Sequence, residues 1–471
     1  MRLLLRLVLV TFVLPATLAA QARAPEPTKQ IDWPAIEREG VALLQAYLRV
    51  NTSNPPGNEL EAARFLRDFL AKEGIEAQIL DTAELGAGRA NLYARVKGNG
   101  RKRAIALVHH LDVVPATPST WSVAPFSGEI RDGFIYGRGA LDMKSEGIAH
   151  LMAVVALKRG GVPLARDLVI IANADEELGS TGAVVFADKH ANLLRDVEFL
   201  VTEGGGNSVR NDTLRFRGIG VSEKRTFWQR LTVRGTPSHG SRPTKDNPVP
   251  RLVAALDRLA RYETPLRVTP GVDRYFRDIS REFPGEHGRW LRNVGRAIED
   301  PRAREWILSN VYWNAILRNT ITLTGLQGSN KTNVIPPEAS ADVDIRLLPD
   351  QDADSMLATL EAVVADTAVK FTRLITPKAP FESSTDTDFF RAVERVSRER
   401  DPGAFVTSSM FTGATDRPMY RRLGFQVYGL DPFRTNDVEQ LRGVHGNDER
   451  IAVASFVSGI RFLYDVLRFV Q

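Results

Sequence analysis

The sequence contains no cysteine among its 471 residues. This absence excludes disulfide bonds, thiolate metal sites, a cysteine nucleophile and a lipid-modified N-terminal cysteine. The formal net charge is only +5, from 62 basic and 57 acidic residues, and no basic block contains interleaved aromatic residues, so nothing argues for nucleic-acid binding. With 43% hydrophobic residues, the chain is long enough to form two domains with substantial cores.

Long apolar runs are absent except near the N-terminus. There, Arg2 precedes and Arg6 interrupts the apolar stretch Leu3–Val13, and small residues follow as far as Ala20 and Ala22. The stretch is too short to span a bilayer comfortably and is typical of a signal peptide. We therefore predict a signal peptide at 1–22, a linker at 23–30 and an exported product, periplasmic or secreted, without a stable membrane span. An uncleaved N-terminal anchor is the alternative.

Strands alternate with helices over the first part of the chain and again near its end. The predicted strands are Asn91–Val96, Ala104–Val108, Leu168–Ala172, Val197–Val201 and Phe425–Tyr428. The predicted helices are Trp33–Val50, Glu59–Glu73, Lys144–Arg159, Thr181–His190 and Asp448–Phe469, the last capped by Asn447. This order predicts an α/β catalytic domain with a mostly parallel sheet sandwiched by helices.

Between these parts the pattern becomes β-α-β-β-α-β, which is typical of a ferredoxin-like domain. Its predicted elements are Thr226–Val233, Asn247–Arg261, Thr320–Thr324, Ala341–Leu347, Asp352–Asp366 and Val369–Ile375. We accordingly predict catalytic segments at 31–221 and 378–471, interrupted by a lid or dimerisation domain at 222–377. An insert at 264–318 is expected to contain helices at Trp290–Ile298 and Arg302–Val311.

Polar residues follow three of the predicted strands at the point where each strand ends. The candidate side chains at these ends include His110, Glu177 and Glu203. Ligands of open parallel sheets lie outside the carboxyl ends of the strands, so we expect these side chains at one rim. Imidazole and carboxylate groups without thiolate suit Zn²⁺, Mn²⁺ or Co²⁺.

Each of these pieces also has an ordinary structural interpretation. The acidic run Asp175-Glu176-Glu177 is equally consistent with a solvated loop, and a histidine at a strand end is often a satisfied polar residue. Asp112 has the spacing of a carboxylate that orients a metal-binding His110. The joint occurrence of such groups at repeated strand ends favours a metal site.

Five motifs, in this order, resemble those of the M20 family of co-catalytic metallopeptidases and deacylases. They are His110–Pro115, Gly137–Lys144, Asp175–Ser180, Glu203-Gly204-Gly205 and His445-Gly446. The similarity spans about residues 35 to 465. The run from Trp121 to Gly139 and the large lid insert resemble the branch that contains carboxypeptidase S and N-acyl-amino-acid hydrolases.

The resemblance implies a site with two divalent metal ions, with Zn²⁺ expected and Mn²⁺ or Co²⁺ as alternatives. One ion would be held by His110 and Glu203 and the second by Glu177 and His445. Asp142 would bridge the two ions.

The resemblance also implies roles for residues that do not bind metal. Glu176 would be the general base and Asp112 would orient His110, while His239 in the lid would stabilise the oxyanion, in dimeric relatives from the partner subunit. Three residues match positions that contact substrate: Asn333, Arg346 and Gly413. Arg346 suits a terminal carboxylate because its planar guanidinium group can donate a hydrogen bond to each of the two oxygens. A structural role for Arg346 is the alternative.

A glutamate at the Glu203 position accompanies carboxypeptidases and deacylases in the M20 family. The resemblance therefore implies cleavage of an amide next to a free carboxylate, in a small peptide or an N-acyl amino acid. An aminopeptidase or dipeptidase on the same scaffold is the alternative, and a non-catalytic binding protein is a third hypothesis. A homodimer through the lid is a possible assembly.

Overall fold

The computed structural model describes residues 24–211, 213–435 and 443–471. The predicted signal peptide at 1–22 and the first residue of the predicted linker lie outside these residues and stay predictions. The rest of the linker lies against the catalytic domain, because Lys29 N donates to Gly160 O at 3.0 Å and Thr28 Oγ1 donates to Gly161 O at 3.1 Å. Within the described part of the chain, no helix combines the length and apolarity needed to cross a bilayer.

The described strands are numbered in chain order. They are β1 Ala77–Leu80, β2 Asn91–Val96, β3 Ala104–His110, β4 Ile130–Arg131, β5 Phe134–Tyr136, β6 Leu168–Asn173, β7 Val197–Thr202, β8 Gly206–Arg210, β9 Thr213–Glu223, β10 Arg225–Thr226, β11 Gln229–Arg234, β12 Ser238–His239, β13 Thr320–Gln327, β14 Val334–Ile335, β15 Glu338–Leu347, β16 Lys370–Arg373, β17 Phe405–Phe411, β18 Gln426–Gly429 and β19 Arg450–Ala452.

The helices are named by their bounds. The described α-helices are Trp33–Leu48, Glu59–Lys72, Thr82–Leu85, Lys144–Arg159, Thr181–Lys189, Pro248–Arg261, Pro270–Ile279, Gly285–Arg292, Val294–Ala297, Pro301–Leu308, Val311–Ile316, Ala353–Val364, Asp388–Arg400, Arg417–Arg421 and Val453–Phe469. Short 3₁₀ turns lie at Pro118–Thr120, Ala191–Leu194 and Ser280–Glu282.

The large sheet has the strand order β1-β2-β6-β3-β7-β18-β9-β17, with β8 paired to β9. Its centre is parallel, since β3 pairs in parallel with β6 and β7, and β18 pairs in parallel with β7. Every residue of β3 and β6 is buried, as expected for strands covered on both faces. Successive residues of β3 alternate between two cores, with Leu107 in one and Val108 in the other. The predicted α/β architecture is confirmed.

The helix Lys144–Arg159 positions the loop that carries Asp142, one of the predicted metal ligands. It has no polar face, and nearly all its residues are buried, which is typical of a helix that lies inside a protein. It packs against β3 and against the helices Trp33–Leu48 and Val453–Phe469. Because its N-cap is Met143, the preceding Asp142 lies at the start of a rigid buried element.

The small sheet has the topology predicted for the lid. β11 lies between β15 and β16, while β13 pairs with the other edge of β15, and all these pairings are antiparallel. The helices Pro248–Arg261 and Ala353–Val364 share one core with the strands, in which Leu252 and Leu360 meet Ile345. This is the ferredoxin-like arrangement.

The prediction for the last helix is wrong at its start. The helix begins at Val453 and not at Asp448, and its N-cap is Ala452 and not Asn447. Residues before it form β19, which pairs with β5. His445 and Asp448 have φ values of 59° and 54°, in the left-handed region that interrupts a right-handed helix.

The helical insert also differs from its prediction. Trp290–Ile298 breaks at Asn293, whose side chain caps the helix that follows, and Pro301–Leu308 ends before Val311. Pro270–Ile279 packs against β17 of the large sheet, and Phe276 shares a core with Met410. The insert therefore extends the catalytic layer.

Four strands of the large sheet escaped prediction from the sequence, namely β1, β8, β9 and β17. β9 contains Gly218 and Gly220, and β17 contains a central pair of serines. Glycine and serine are weak strand formers, so these segments form strands because the sheet pairs them in parallel. β9 ends at Glu223, two residues beyond the predicted end of the first catalytic segment.

Candidate active site

Three adjacent strands deliver the candidate ligands to one edge of the sheet. β3 ends at His110, and its neighbours β6 and β7 lead into the loops that carry Glu176, Glu177 and Glu203. Because β3 lies between β6 and β7, the acidic loops flank the imidazole on both sides. Two groups of possible ligand atoms form here, each within 4.8 Å: His110 with Asp142 and Glu177, and His110 with Glu176 and Glu203.

Asp142 stands between two imidazoles. Its Oδ1 is 3.0 Å from His110 Nε2, and its Oδ2 is 3.1 Å from His445 Nε2. The same His445 nitrogen is 3.1 Å from Glu177 Oε2. Each oxygen of one carboxylate therefore faces a different histidine, which is the arrangement that a bridging carboxylate needs.

The donor set fits divalent metal ions. It consists of imidazole nitrogens and carboxylate oxygens, the ligands that zinc and similar ions take when thiolate is absent. Glu177 Oε1 is buried and has no hydrogen-bond partner among the described residues, so an acceptor is left for a ligand. The fit has one ambiguity, because Glu176, expected to stay unligated, lies at ligand distance from His110 and Glu203.

The electrostatics of the cluster also favour cations. Burial raises the pKa values of Glu176 and Glu203 well above the ordinary value of a glutamate, and the charges of neighbouring carboxylates raise them further. Burial opposes ionisation of Asp142 too, yet hydrogen bonds from both histidines hold its pKa below the usual range. Hydrogen bonds to Asp142 and Glu177 raise the pKa of His445 to about 10. Buried acids of this density require positive charge between them.

Asp112 holds the glutamate loop by its side chain. Its Oδ1 accepts from Glu176 N at 3.0 Å, and its Oδ2 accepts from Glu177 N at 3.1 Å and from Asn54 Nδ2 at 2.8 Å. The nearest Asp112 atom to His110 Nδ1 is the backbone oxygen, at 2.9 Å, whereas the carboxylate is 3.7 Å away. The expected orientation of His110 is therefore made by the Asp112 carbonyl, and the carboxylate positions both glutamates.

Asp175 forms the turn that precedes the two glutamates. Its φ is 63°, and its carbonyl accepts from Ser180 N at 2.6 Å. Its side chain accepts hydrogen bonds from Asn54, Arg89 and Thr181. Asp175 thus closes the loop that carries the two glutamates.

Glu449 is a site residue that the sequence did not reveal. Its Oε1 accepts from Leu141 N at 2.7 Å and from Asp142 N at 3.0 Å. Its Oε2 accepts from Gly139 N at 3.0 Å and from Arg138 Nη1 at 2.7 Å. Glu449 is 1% exposed and ties the Asp142 loop to the segment that carries His445. Its position four residues after His445 was the one sign in the sequence that Glu449 could belong to the site. That it holds the Asp142 loop follows only from its burial and its hydrogen bonds.

Two of the predicted lid residues, His239 and Asn333, lie side by side. His239 is exposed on the β12–β14 ribbon, where its Nδ1 is 2.7 Å from Ser241 Oγ. Asn333 is next to it, since Gly240 N donates to Asn333 O at 2.7 Å. His239 and Asn333 therefore share one exposed surface of the lid.

The other two predicted substrate contacts have their own partners. Arg346 donates to both oxygens of Asp344, at 2.8 and 3.2 Å, and to Thr226 Oγ1 at 3.0 Å. The backbone of Gly413 lies so close to the Phe411 ring that a Cβ would come within 2.6 Å of it. Arg346 is thus paired within the lid, and only glycine fits at position 413 without movement of that ring.

A parallel-sheet domain with a histidine–carboxylate cluster at its strand ends, interrupted by a ferredoxin-like domain, defines a class of metal-dependent hydrolases. The profile of Peptidase family M20/M25/M40 matches residues 106–468, and the chain belongs to this family. It is a hydrolytic enzyme, and the resemblance found in its motifs is confirmed.

Individual relatives agree with this assignment. The chain is 32% identical over 374 residues to the human N-fatty-acyl-amino acid synthase/hydrolase PM20D1, covering 77% of this chain and 73% of the relative. It is 26% identical over 375 residues to the probable carboxypeptidase S-like 2 of Dictyostelium discoideum, covering 78% and 71%. The crystal structure of the M20 family metallo-carboxypeptidase Sso-CP2 from Sulfolobus solfataricus has the same fold, with a TM-score of 0.72 at 19% identity over 92% of this chain and 99% of that one.

Proposed function

We propose that the enzyme hydrolyses amide bonds next to a free carboxylate, in the C-terminal residues of peptides or in N-acyl amino acids. The observation that carries this proposal is the position of Asp142, whose two oxygens each face a different histidine. The names of the relatives, a fatty-acyl-amino acid hydrolase and a carboxypeptidase, support the substrate class.

Two divalent ions fit the side chains of this site. One ion would be held by His110 and Glu203, and the other by Glu177 and His445. Asp142 would be a ligand of both ions. Zn²⁺ is the expected metal, and Mn²⁺ or Co²⁺ suits the same ligands. When bound, such a pair of ions lowers the pKa of a water and polarises the scissile carbonyl.

Glu176 is the proposed general base. Its backbone is held by the Asp112 carboxylate, and burial beside Glu203 raises its pKa. This rise describes the cluster without cations; positive charge bound beside Glu176 would favour the ionised carboxylate that a general base needs. Glu176 therefore takes the proton of the attacking water and gives it to the leaving nitrogen.

The lid supplies the remaining groups in this proposal. His239 stabilises the oxyanion of the tetrahedral intermediate, after closure of the lid or from a partner subunit of a lid-mediated homodimer. Arg346 leaves Asp344 and pairs with the carboxylate of the substrate. Its guanidinium group then donates to both oxygens of that carboxylate, as it does to Asp344. Asn333 and the Gly413 backbone line the rest of the substrate path. The protein is exported after cleavage of its signal peptide.

Glu176→Gln tests the chemistry. We expect metal content near that of the wild type and a fall in kcat of several orders of magnitude, because the variant cannot accept the proton. Glu299→Gln, an exposed change on the insert, is the matched control and should leave both quantities unaltered. A modest loss of kcat would show that another group is the base.

Blocked dipeptides test the substrate class. The enzyme should cleave dipeptides with a blocked amino group and spare those with a blocked carboxyl group. Cleavage that requires a free amino group would instead assign an aminopeptidase or dipeptidase. Absence of any turnover with Zn²⁺, Mn²⁺ or Co²⁺ would favour a non-catalytic binding protein.

A further inference from the structure

A cleft of about 890 Å³ lies between the helical insert and the strands β8, β9 and β17. Five aromatic side chains of the insert form one wall of it, namely Tyr275, Phe283, Trp306, Tyr312 and Trp313, whereas polar side chains of β8, among them Asn207, Ser208 and Arg210, also line the cleft. None of these residues belongs to the ligand set or to the predicted substrate contacts, so the proposed mechanism does not use the cleft.

The aromatic wall is packed into a fixed shape. Phe283 meets Trp306 and Trp313 edge to face, with ring centroids 5.8 and 5.6 Å apart. Two polar tips of the wall are hydrogen-bonded within the protein, since Tyr312 Oη donates to Met410 O at 2.9 Å and Trp313 Nε1 donates to the Tyr275 hydroxyl at 3.3 Å. The rings thus offer apolar surface to the cleft, in a preformed pocket typical of ligand sites.

The cleft is continuous with the metal-ligand loops. Gly206 lines it three residues after Glu203, and Val444 lines it immediately before His445. Phe411 also lines it and is the ring against which Gly413 packs. A substrate whose amide lies at the ligand cluster therefore has this cleft beside it.

Size and polarity decide between possible occupants. A cavity of about 150 Å³ already holds a benzene ring, so this cleft is several times larger than one aromatic side chain requires. A peptide would bring backbone N–H and C=O groups that need partners, whereas the polar groups of Tyr312, Trp313 and Ser309 already donate hydrogen bonds within the protein. Three charged residues line the cleft; Arg215 and Glu282 pair with each other at 2.8 Å, and Arg210 is the third. A long chain without polar groups fits the aromatic wall of the cleft best.

We propose that this cleft binds the apolar acyl chain of an N-acyl amino acid, while the amide lies at the ligand cluster. The inference rests on the proposed hydrolase function and adds the site that selects long acyl groups. The insert then sets substrate choice, because it contributes most of the aromatic wall.

N-acylglycines with acyl chains of two to twelve carbons test the wild-type enzyme below their micellar concentrations. We expect kcat/KM to rise by up to about fourfold for each added methylene, the factor that corresponds to burying one methylene group. A flat profile with clear turnover of the short substrates would overturn this inference and leave the proposed function standing. No turnover of any N-acylglycine or peptide would overturn both.

Gly206→Leu tests the location. A Cβ at position 206 meets no heavy atom within 4 Å, so the larger side chain enters open space without a backbone clash. We expect the gain in kcat/KM between the two- and twelve-carbon substrates to fall at least about tenfold. Val311→Leu is the matched control, because Val311 is 84% exposed and does not line the cleft, and it should keep the wild-type profile.

A binding measurement separates the cleft from the chemistry. A brominated twelve-carbon fatty acid should quench the tryptophan fluorescence of the wild type, because its bromine would lie against Trp306 or Trp313, and should quench Gly206→Leu much less. Equal quenching in both proteins, together with an unchanged chain-length profile in the variant, would place the acyl chain elsewhere and overturn the proposal.

Discussion

Replacement of Glu449 by glutamine should loosen the Asp142 loop. In the wild type four N–H donors converge on the two carboxylate oxygens of Glu449, two on each. Glutamine keeps the shape and one acceptor oxygen, but its NH₂ group faces two of these donors. Two hydrogen bonds are then lost, at about 1 kcal/mol each, and Arg138 loses its anionic partner.

The larger part of the effect comes from Arg138, which is only 3% exposed. Breaking a buried ion pair by removing one partner costs about 3–5 kcal/mol, and this figure already includes the hydrogen bond between Arg138 and Glu449. Burial raises the pKa of Glu449, but Arg138 and the backbone N–H groups act against this rise. With the second lost hydrogen bond, at about 1 kcal/mol, we therefore expect Glu449→Gln to lower the free energy of unfolding by about 4–6 kcal/mol.

Urea unfolding at neutral pH, followed by tryptophan fluorescence, measures this loss directly. The Trp121 ring lies 5.1 Å from the Arg138 guanidinium and reports on its surroundings. Metal content and kcat should fall by about 10–100-fold, as is usual when support for a ligand is removed.

Asn447→Ala is the control, since Asn447 is exposed and contacts Thr120 at 3.0 Å; it should change stability by less than about 0.5 kcal/mol. A loss below about 1 kcal/mol for Glu449→Gln, with normal metal content, would refute the reasoning.

Three further predictions concern charge. Burial raises the pKa of Glu59 from 4.5 to about 7, so the folded state holds this proton more tightly than the unfolded state. Its stabilising contribution is then present below pH 4.5 and lost as the pH rises through 7. Relative to Glu59→Gln, the wild type should lose at most about 3 kcal/mol between pH 4.5 and 8 in urea unfolding. Arg346→Lys should raise KM about 10- to 100-fold for substrates with a free carboxylate, with little change in kcat, because lysine cannot make the two-point contact. Chelation of the metal ions should abolish hydrolysis and lower the thermal midpoint, because Asp142, Glu177 and Glu203 would then repel one another without a cation.

Each of these three predictions has its own refuting result. A pH-independent difference between wild type and Glu59→Gln would mean that Glu59 ionises normally in the folded state. Equal KM values for free and amidated substrates in the wild type would leave Arg346 as a structural partner of Asp344. Full activity after exhaustive chelation, checked by metal analysis, would contradict a metal-dependent mechanism.

The sequence predicted the parts of the fold that depend on local pattern. Ala104–Val108 and Leu168–Ala172 are continuous apolar runs, and such runs form buried parallel strands because both faces are covered. β9 and β17 were missed because their glycines and serines carry no such pattern; pairing in the sheet makes them strands. The last helix was started too early because an acidic segment after Asn447 imitates a helix N-terminus, whereas the left-handed backbone at Asp448 is set by tertiary contacts.

The same division holds for the site. Residue type and position after a strand were enough to select His110, Glu177 and Glu203 as neighbours, because parallel strands end at one edge. The sequence by itself therefore determined the chemical class of the site, which depends on which side chains are present. Only the tertiary structure assigned Glu449 to the Asp142 loop, the Asp112 carboxylate to the glutamate backbone and the insert to an aromatic cleft. These roles depend on burial and on contacts between distant segments, and neither leaves a local pattern in the sequence.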